Sequence, residues 1–433
     1  MVAEVLLLTL IIELIISLLL YKDIFCVSTI LSFVFSISSF CLLINIDEFG
    51  VNLCWETYFY ISGGVFITIV IEFIVRLFFY KYKIKRSIVI KENKLNLINF
   101  YLVFYLAIII LFIYSFFFIR AVSNLKFSSW QELMSYYRAA QTYGMGEIIK
   151  IPSVVSNLTK INIAFVYVCM FCFIRDFVIK NYKKEVKIRK KYLLSLITFF
   201  PICIMTGARA ELIYLICFCF VIYNLYSFYI NGKRFNFKSI IMYILLIFVA
   251  FLLFTSLSRI VGRNSNTNLF IYLGGSINLF DLFLKNPPAP STIVGKETFY
   301  SINKFLNQIG LLNESYSIHL EFRYYNGQSL GNVYTAFRHY IYDFGLIGCI
   351  SLHVIFSFFY SIYYEICKRI INRNNRTQLT ILYYGVISFG MFLYFYNDYL
   401  FASIISINYL LIFIIIALIF YFITNDKVKI KWR

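Results

Sequence analysis

Long apolar runs separated by short polar stretches recur along the whole chain of 433 residues. Most are close to the ~17–25 residues with which a helix crosses about 30 Å of hydrocarbon. The pattern predicts eleven spans, of which the sixth is the shortest. They lie near Val2–Tyr21, Ile24–Ile46, Tyr58–Tyr80, Leu95–Ile119, Ile161–Ile179, Tyr192–Met205, Ala210–Ile230, Ile240–Leu257, Tyr340–Ile366, Leu379–Tyr396 and Leu400–Thr424. We therefore predict an all-α polytopic membrane protein whose residues 1–433 form a single transmembrane domain.

Composition and charge agree with this class. The chain is 61% hydrophobic, above the ~45–50% of an ordinary soluble domain. Its net charge of +19 would suit nucleic acid, but Lys and Arg collect in alternate loops, as they do on the cytoplasmic side of membrane proteins. We expect membrane lipids rather than nucleic acid as partners, with the C-terminus in the cytoplasm. Eleven crossings then place the N-terminus outside, and one miscounted span would reverse that end.

Two segments on the predicted outer side, residues 120–160 and residues 258–339, are too long to be simple connectors. In the first, Trp130, Leu133, Met134 and Tyr137 follow the spacing of one apolar helix face. This spacing predicts an amphipathic helix along the membrane interface. The helix would be either a structural cover over the bundle or a lid over a substrate.

The larger outer segment contains two further predicted elements. Residues 269–284 are too short and polar for a confident crossing and are predicted to be re-entrant. The apolar residues from Phe299 to Ile309 then repeat at helical spacing, which predicts a second interfacial helix closed by Gly310. Two amphipathic outer helices indicate an amphiphilic substrate or, equally, simple loop packing.

Arginine is the most informative residue type on this face. Arg259 and Arg263 stand four residues apart where the eighth span ends, and like charges at that spacing repel. An anion between them would relieve the repulsion, although lipid headgroups or a carboxylate such as Asp281 would do the same. Arg209 lies at a break between two spans, in TGARAEL, where Glu211 is a competing local partner. Because the guanidinium fork matches phosphate oxygens, these residues and Arg338 predict a pyrophosphate site.

The segment that leads into the ninth span adds candidate acid–base groups. If Asn332 caps that helix, its free N–H groups favour an anion. His339 and Asp343 stand four residues apart, the spacing of a base and its orienting carboxylate, and this spacing also arises by chance. Only three His are present, and nine of the ten Cys fall in or beside spans. We predict no metal site and no cofactor.

Three stretches, NVYTAFRHYIYDFGLIG, TGARAEL and SRIVGR, together resemble the Wzy-type polymerases of O-antigen and other oligosaccharide repeat units. The first matches the pattern YT..R....DFG..G of that family. The matching residues are Tyr334, Thr335, Arg338, Asp343, Phe344, Gly345 and Gly348. The family's large outer loop before its last spans also has a counterpart here.

The resemblance implies a GT-C-like fold, as in O-antigen ligases, and a multi-pass glycosyltransferase of the bacterial inner membrane with its active site facing the periplasm. It would act on undecaprenyl-pyrophosphate-linked oligosaccharides, with a flippase and a chain-length regulator as further partners.

Particular residues take roles under this resemblance. Arg338, Arg209, Arg259 and Arg263 would stabilise the leaving pyrophosphate, and Tyr334 and Thr335 would contact substrate. Asp343 and His339 are the first candidates for the base. Glu314, His319 and Glu321 are rivals, and Asp343 is as readily an anchor of the loop through Arg338.

Two other functions remain open from the sequence. A flippase or other transporter for lipid-linked oligosaccharide would also need arginine facing a pyrophosphate, but the chain lacks the paired internal repeats common in transporters. An O-antigen ligase is chemically close and differs in the acceptor.

Overall fold

The computed structural model describes most of the chain. The described residues are 1–80, 95–123, 125–143, 148–180, 189–207, 209–231, 255–256, 258, 260, 269–312, 320–326, 328–370 and 375–424. Within them the protein is all-α apart from one two-stranded hairpin.

The α-helices, in chain order, are α1 (Val2–Tyr21), α2 (Val27–Ile44), α3 (Ile46–Phe49), α4 (Trp55–Tyr80), α5 (Leu97–Val122), α6 (Trp130–Tyr143), α7 (Ser153–Lys180), α8 (Ser195–Thr206), α9 (Arg209–Asn231), α10 (Leu269–Lys285), α11 (Tyr300–Gln308), α12 (Ala336–Ile370), α13 (Asn375–Ile387), α14 (Phe389–Phe392) and α15 (Ile407–Thr424). A 3-10 helix (Lys190–Leu194) precedes α8, and a π-helix (Leu400–Ile404) precedes α15. Strands β1 (Arg323–Tyr325) and β2 (Gln328–Gly331) pair in antiparallel fashion.

Eight of the described helices have the length and hydropathy of a membrane span: α1, α2, α4, α5, α7, α9, α12 and α15. Each coincides with a predicted span. The predicted sixth span is only the 12-residue helix α8, and nearly all of the predicted eighth, Ile240–Leu257, lies outside the described residues.

The tenth predicted span, Leu379–Tyr396, is covered by two short helices, and a polar loop separates it from the eleventh. Helix α13 ends at Ile387 and only the four-residue α14 follows it. Oδ1 of Asp398 accepts hydrogen bonds from the backbone N–H groups of Leu400 and Phe401, at 3.1 and 3.2 Å. Such side-chain bonds give the backbone an alternative to the helical ladder. The apolar run therefore contains a polar loop.

The described residues form two compact units. Unit 1 comprises Met1–Lys85, Thr267–Arg369 and Ile387–Tyr409, and unit 2 comprises Arg86–Asn266, Ile370–Val386 and Leu410–Arg433.

In unit 1 the predicted re-entrant segment is the buried helix α10, which packs on α2. A Cβ at Gly274 would lie 2.6 Å from the backbone nitrogen of Leu42, so the glycine permits this close approach. Two buried polar residues of α10, Asn278 and Asp281, also have partners. Asn278 donates to the carbonyl of Phe49, and Asp281 accepts from Thr57 at 2.7 Å.

A buried ionic cluster joins one end of α4 and α12 to the turn between α1 and α2. The guanidinium of Arg76 lies 2.8 Å from Glu72 and 3.6 Å from Asp23, and Lys368 lies 3.3 Å from Asp23. Glu365 on α12 also pairs with Lys368. The charge pattern predicts that these ends face the cytoplasm.

Helix α12 is 35 residues long and is kinked at Gly345, whose φ is 64° and ψ −161°. That backbone conformation is available chiefly to glycine. The first nine residues of α12 therefore run in a different direction from the long span that follows. They lie at the end of α12 opposite the ionic cluster.

The two predicted interfacial helices are confirmed as helices, α6 and α11. In unit 2, Met134 and Tyr137 of α6 are buried against Tyr114, Phe118 and their neighbours, whereas Trp130 is 46% exposed. The apolar face of α6 thus covers its own unit. In unit 1, α11 ends just before Gly310, whose φ is 79°.

Candidate functional site

Arg338 is the centre of a buried polar cluster at the start of α12. Its guanidinium is 1% exposed and donates from Nε and Nη2 to the two oxygens of Glu297, at 3.2 and 3.1 Å. Nη2 also donates to Glu321 at 2.7 Å. The cation lies over the Tyr334 ring, 3.9 Å from its centroid, a favourable cation–π geometry.

The start of α12 differs from the prediction. The helix begins at Ala336, so Asn332 does not cap it. The amide of Asn332 instead donates to the carbonyl of Leu320. The backbone N–H of Ala336 donates to the carbonyl of Tyr394 at 3.1 Å, which ties the first turn to the segment after α14.

Glu297 connects Arg338 with His339. Nε2 of His339 donates to Oδ1 of Asn397 at 2.5 Å, and Nδ1 lies 3.3 Å from Glu297 Oε2. With Nε2 already carrying a proton, Nδ1 can attract the carboxylate only in the imidazolium form. Burial opposes ionisation of Glu297, but bonding to His339 and the charges of His339 and Arg338 outweigh it and lower the pKa of Glu297 below its ordinary value.

Asp343 does not orient His339, which corrects the predicted dyad. Oδ2 of Asp343 accepts from the backbone N–H groups of Glu297 and Thr298, at 3.0 and 2.6 Å. Oδ1 also accepts from Glu297, at 3.3 Å. Asp343 is therefore an anchor, but through the backbone N–H groups of Glu297 and Thr298 and not through Arg338 as the sequence analysis suggested. It acts through the backbone beside Glu297 and so positions the partner of Arg338.

The sequence analysis missed Asp398. This residue is fully buried on the polar loop between α14 and the π-helix. Burial raises the pKa of Asp398 to about 6, although the charge of His339 partly opposes the shift. The signal in the sequence was an Asn-Asp pair that interrupts an otherwise apolar run, since ionisable residues at membrane depth mark functional sites.

Besides Nδ1 of His339, four buried polar atoms near Arg338 and Asp398 have no hydrogen-bond partner among the described residues: Thr335 Oγ1, Arg338 Nη1, Tyr340 OH and Asp398 Oδ2. Buried polar groups in folded proteins are almost always bonded, so each exception needs an explanation. The four include a cationic donor, a carboxylate acceptor and two hydroxyls. Together they suit a polar ligand with both acceptors and donors.

The other predicted site residues fall in different places. Tyr334 and Thr335 are buried beside Arg338, and the Tyr334 hydroxyl donates to the carbonyl of Glu321 at 3.0 Å. Arg209 belongs to unit 2, where it follows the turn at Gly207 (φ 64°) and donates to Ser258. Four predicted candidates lie outside the described residues: Arg259, Arg263, Glu314 and His319. In the described part of the chain, Tyr334, Thr335, Arg338 and His339 therefore lie together with Glu321. The predicted site of four arginines is not assembled there.

An open groove of about 430 Å³ lies between α4 and α12 in unit 1. Its lining is mainly apolar and includes Gly63, Phe337 and Ile350, with Glu56 as a charged exception. Phe337 directly precedes Arg338, so the groove lies at the same end of α12 as the polar cluster, although no side chain of that cluster lines it. A Cβ at Gly63 would meet nothing within 4 Å, so this glycine leaves space open.

Comparison of the chain with protein-family models, curated protein sequences and solved structures gives no match.

Proposed function

We propose that this protein is a glycosyltransferase of the bacterial inner membrane. It polymerises undecaprenyl-pyrophosphate-linked oligosaccharide repeat units at the periplasmic face. The observation that carries the proposal is the buried guanidinium of Arg338, which has one unpartnered nitrogen in a polar cluster at the predicted outer end of α12. The substrate class comes from the sequence resemblance to Wzy-type polymerases.

The reaction needs a group that stabilises the charge of a departing pyrophosphate. The acceptor hydroxyl attacks the anomeric carbon of the growing chain while the bond from that carbon to lipid pyrophosphate breaks. A guanidinium fixed before the reaction stabilises the developing charge without reorganisation. Nη1 of Arg338 has a donor free for this purpose.

The two carboxylates on Arg338 differ in how readily a phosphate could replace them. Glu297 is 5% exposed and holds the guanidinium in a two-point contact, whereas Glu321 is 34% exposed and makes a single contact. Glu321 is thus the exchangeable partner. A diphosphate would take its place on Nη2 and also bond to Nη1, while Glu297 keeps Arg338 in position.

The adjoining groove suits the lipid part of such a substrate. A polyprenyl chain is apolar and a diphosphate is strongly polar, so the carrier needs an apolar surface beside a cationic donor. The groove supplies the first through Phe337 and Ile350, and Arg338 supplies the second.

Extension of lipid-linked repeat units by the purified protein tests the proposal. We expect a ladder of longer lipid-linked glycans, unchanged by a chelator. Arg338→Lys should reduce the rate at least tenfold, because an ammonium keeps the charge but loses the two-point fork.

Arg76→Lys is the matched control, since Arg76 is also partly buried and paired with carboxylates but lies at the cytoplasmic end of unit 1. Its rate should stay near that of the wild type. No ladder from wild-type protein, or equal rates for the two variants, would overturn the proposal.

A further inference from the structure

We propose that Asp398 is the general base of this transfer and that its Oδ2 removes the proton of the acceptor hydroxyl. The inference rests on the proposed function and deepens it by assigning a residue that the sequence motif does not contain. Asp398 lies on the loop after α14, about sixty residues beyond Arg338 in the chain.

The neighbouring carboxylates in the described part of unit 1 are already occupied. Glu297 and Glu321 bind Arg338. Asp343 accepts backbone N–H groups with both oxygens. Among these four acidic residues, Asp398 alone combines full burial with an oxygen that has no partner.

His339 does not take this role in the observed geometry. Nε2 donates to Asn397, and Nδ1 faces the carboxylate of Glu297. An imidazolium has no lone pair with which to accept a proton. His339 instead fixes the loop through Asn397, whose Oδ1 also accepts from the backbone N–H of Asp398 at 3.0 Å.

Asp398 is oriented by its own loop. Oδ1 accepts two backbone N–H groups, from Leu400 and Phe401, so the carboxylate cannot rotate freely and Oδ2 has a fixed direction. The hydroxyl of Tyr340 lies beside the carboxylate and interacts with it, but neither this hydroxyl nor Oδ2 has a partner in hydrogen-bond geometry among the described residues. A sugar hydroxyl can donate to Oδ2 while accepting from the tyrosine. The two groups therefore suit an acceptor sugar.

The step balances with this assignment. The acceptor oxygen forms a bond to the anomeric carbon, and the bond from that carbon to the pyrophosphate oxygen breaks. The bonding electrons leave with undecaprenyl pyrophosphate, next to Arg338. The hydroxyl proton moves to Oδ2 of Asp398 and passes to solvent after product release. A carboxyl group whose pKa is raised to about 6 is ionised at neutral pH and is still a moderately strong base.

The competing explanation is purely structural, because Asp398 also caps the backbone of the π-helix. Asn can keep the capping bonds through its own Oδ1 but cannot accept a proton. Asp398→Asn should therefore assemble normally, as judged by size-exclusion chromatography in detergent, and lose at least a hundredfold in kcat, the usual contribution of a general base. A structural role predicts instead that Asn restores most of the activity lost in Asp398→Ala.

Asp281→Asn is the control. Asp281 is another buried carboxylate of unit 1 that accepts a backbone N–H, here from Cys54 at 2.7 Å. It lies on α10 and contacts none of the residues assigned to the reaction, so its kcat should stay close to wild type.

The pH profile separates a base from a positioning group. The titratable groups that face Asp398 are His339, Tyr340 and Tyr360 on α12 and Tyr394 on its own segment. Wild-type kcat should rise with pH, be half-maximal near pH 6, where Asp398 is half ionised, and level off at higher pH. Asp398→Asn should lack that rise while keeping its KM.

Each outcome decides the question. A near-normal kcat in Asp398→Asn, an unchanged pH profile, or failure of this variant to assemble would overturn the role of Asp398. If wild-type protein itself transfers no sugar, the proposed function fails instead, so the two failures are distinguishable.

Discussion

At the scale of single residues, the cluster depends on how one buried cation is neutralised. Arg338 is nearly inaccessible to water, and an isolated charge in such surroundings is strongly unfavourable. Glu297 provides most of the compensation and Glu321 adds a partly exposed contact. The Glu297 carboxylate therefore stabilises the fold, whereas the Glu321 carboxylate is the one that the substrate would displace.

Glu297→Gln tests this division. Glutamine lacks the negative charge that pairs with the buried Arg338. We therefore expect Glu297→Gln to lower the free energy of unfolding by about 3 kcal/mol at pH 7. Glu321→Gln should have a much smaller effect, since a partly exposed ion pair is screened by solvent. Thermal unfolding in detergent compares the two variants, and equal losses would contradict the division.

The pH dependence of the same comparison has a definite sign. The pKa of Glu297 is lower in the folded protein than its ordinary value of 4.5, so ionised Glu297 stabilises the fold. This contribution is complete above pH 4.5 and is lost as the pH falls through the lower folded value. The difference in unfolding free energy between wild type and Glu297→Gln should therefore shrink in that acidic range.

At the scale of elements, three glycines have different structural roles: one allows a helix to kink, one allows two helices to pack closely, and one leaves a groove between helices open. Gly345 kinks α12, Gly274 lets α10 approach α2, and Gly63 keeps the groove beside Phe337 open. The proposed lipid-binding role of the groove depends on the third of these positions.

Gly63→Leu should block the groove without disturbing helix packing, because a side chain there enters open space and leucine is a better helix former than glycine. We expect KM for a long-chain lipid-linked donor to rise about tenfold, and for a short-chain analogue to change little. Steady-state assays with the two donors measure this difference. Val70→Leu is the control, since Val70 lies on α4 and does not line the groove. An equal effect on both donors would rule out the groove as the lipid site.

Local pattern predicted these elements to different degrees. The amphipathic spacing in residues 130–137 and 299–309 predicted α6 and α11 correctly, because each helix has one apolar face to bury. Hydropathy did not predict how the chain enters the eleventh span, where Asp398 accepts the backbone N–H groups of Leu400 and Phe401 and α15 begins only at Ile407. The hairpin of β1 and β2 had no usable signal, since it is short and mostly exposed.

At the scale of the whole molecule, the proposed enzyme would work on one side of the membrane that the eight candidate spans of the described residues are long and apolar enough to cross. Loss of such an enzyme has a particular consequence in the cell. Deletion of this protein should leave surface glycans with a single repeat unit, because lipid-linked units are still made and transferred but are no longer joined.

Electrophoresis of surface glycans from the deletion strain measures their length, and a strain in which the wild-type sequence is restored on a plasmid is the control. Complete loss of surface sugar would favour a flippase or a ligase over a polymerase.

The sequence by itself determined the membrane class and eight of the apolar spans, because hydrocarbon thickness acts on local stretches of chain. It also singled out Arg338 and Asp343 through a contiguous motif. Tertiary structure decided their partners. Glu297, Asp343 and Asp398 are separated by tens of residues, and a carboxylate is assigned as anchor, counter-ion or candidate base only once folding brings it against a particular backbone N–H, guanidinium or empty space.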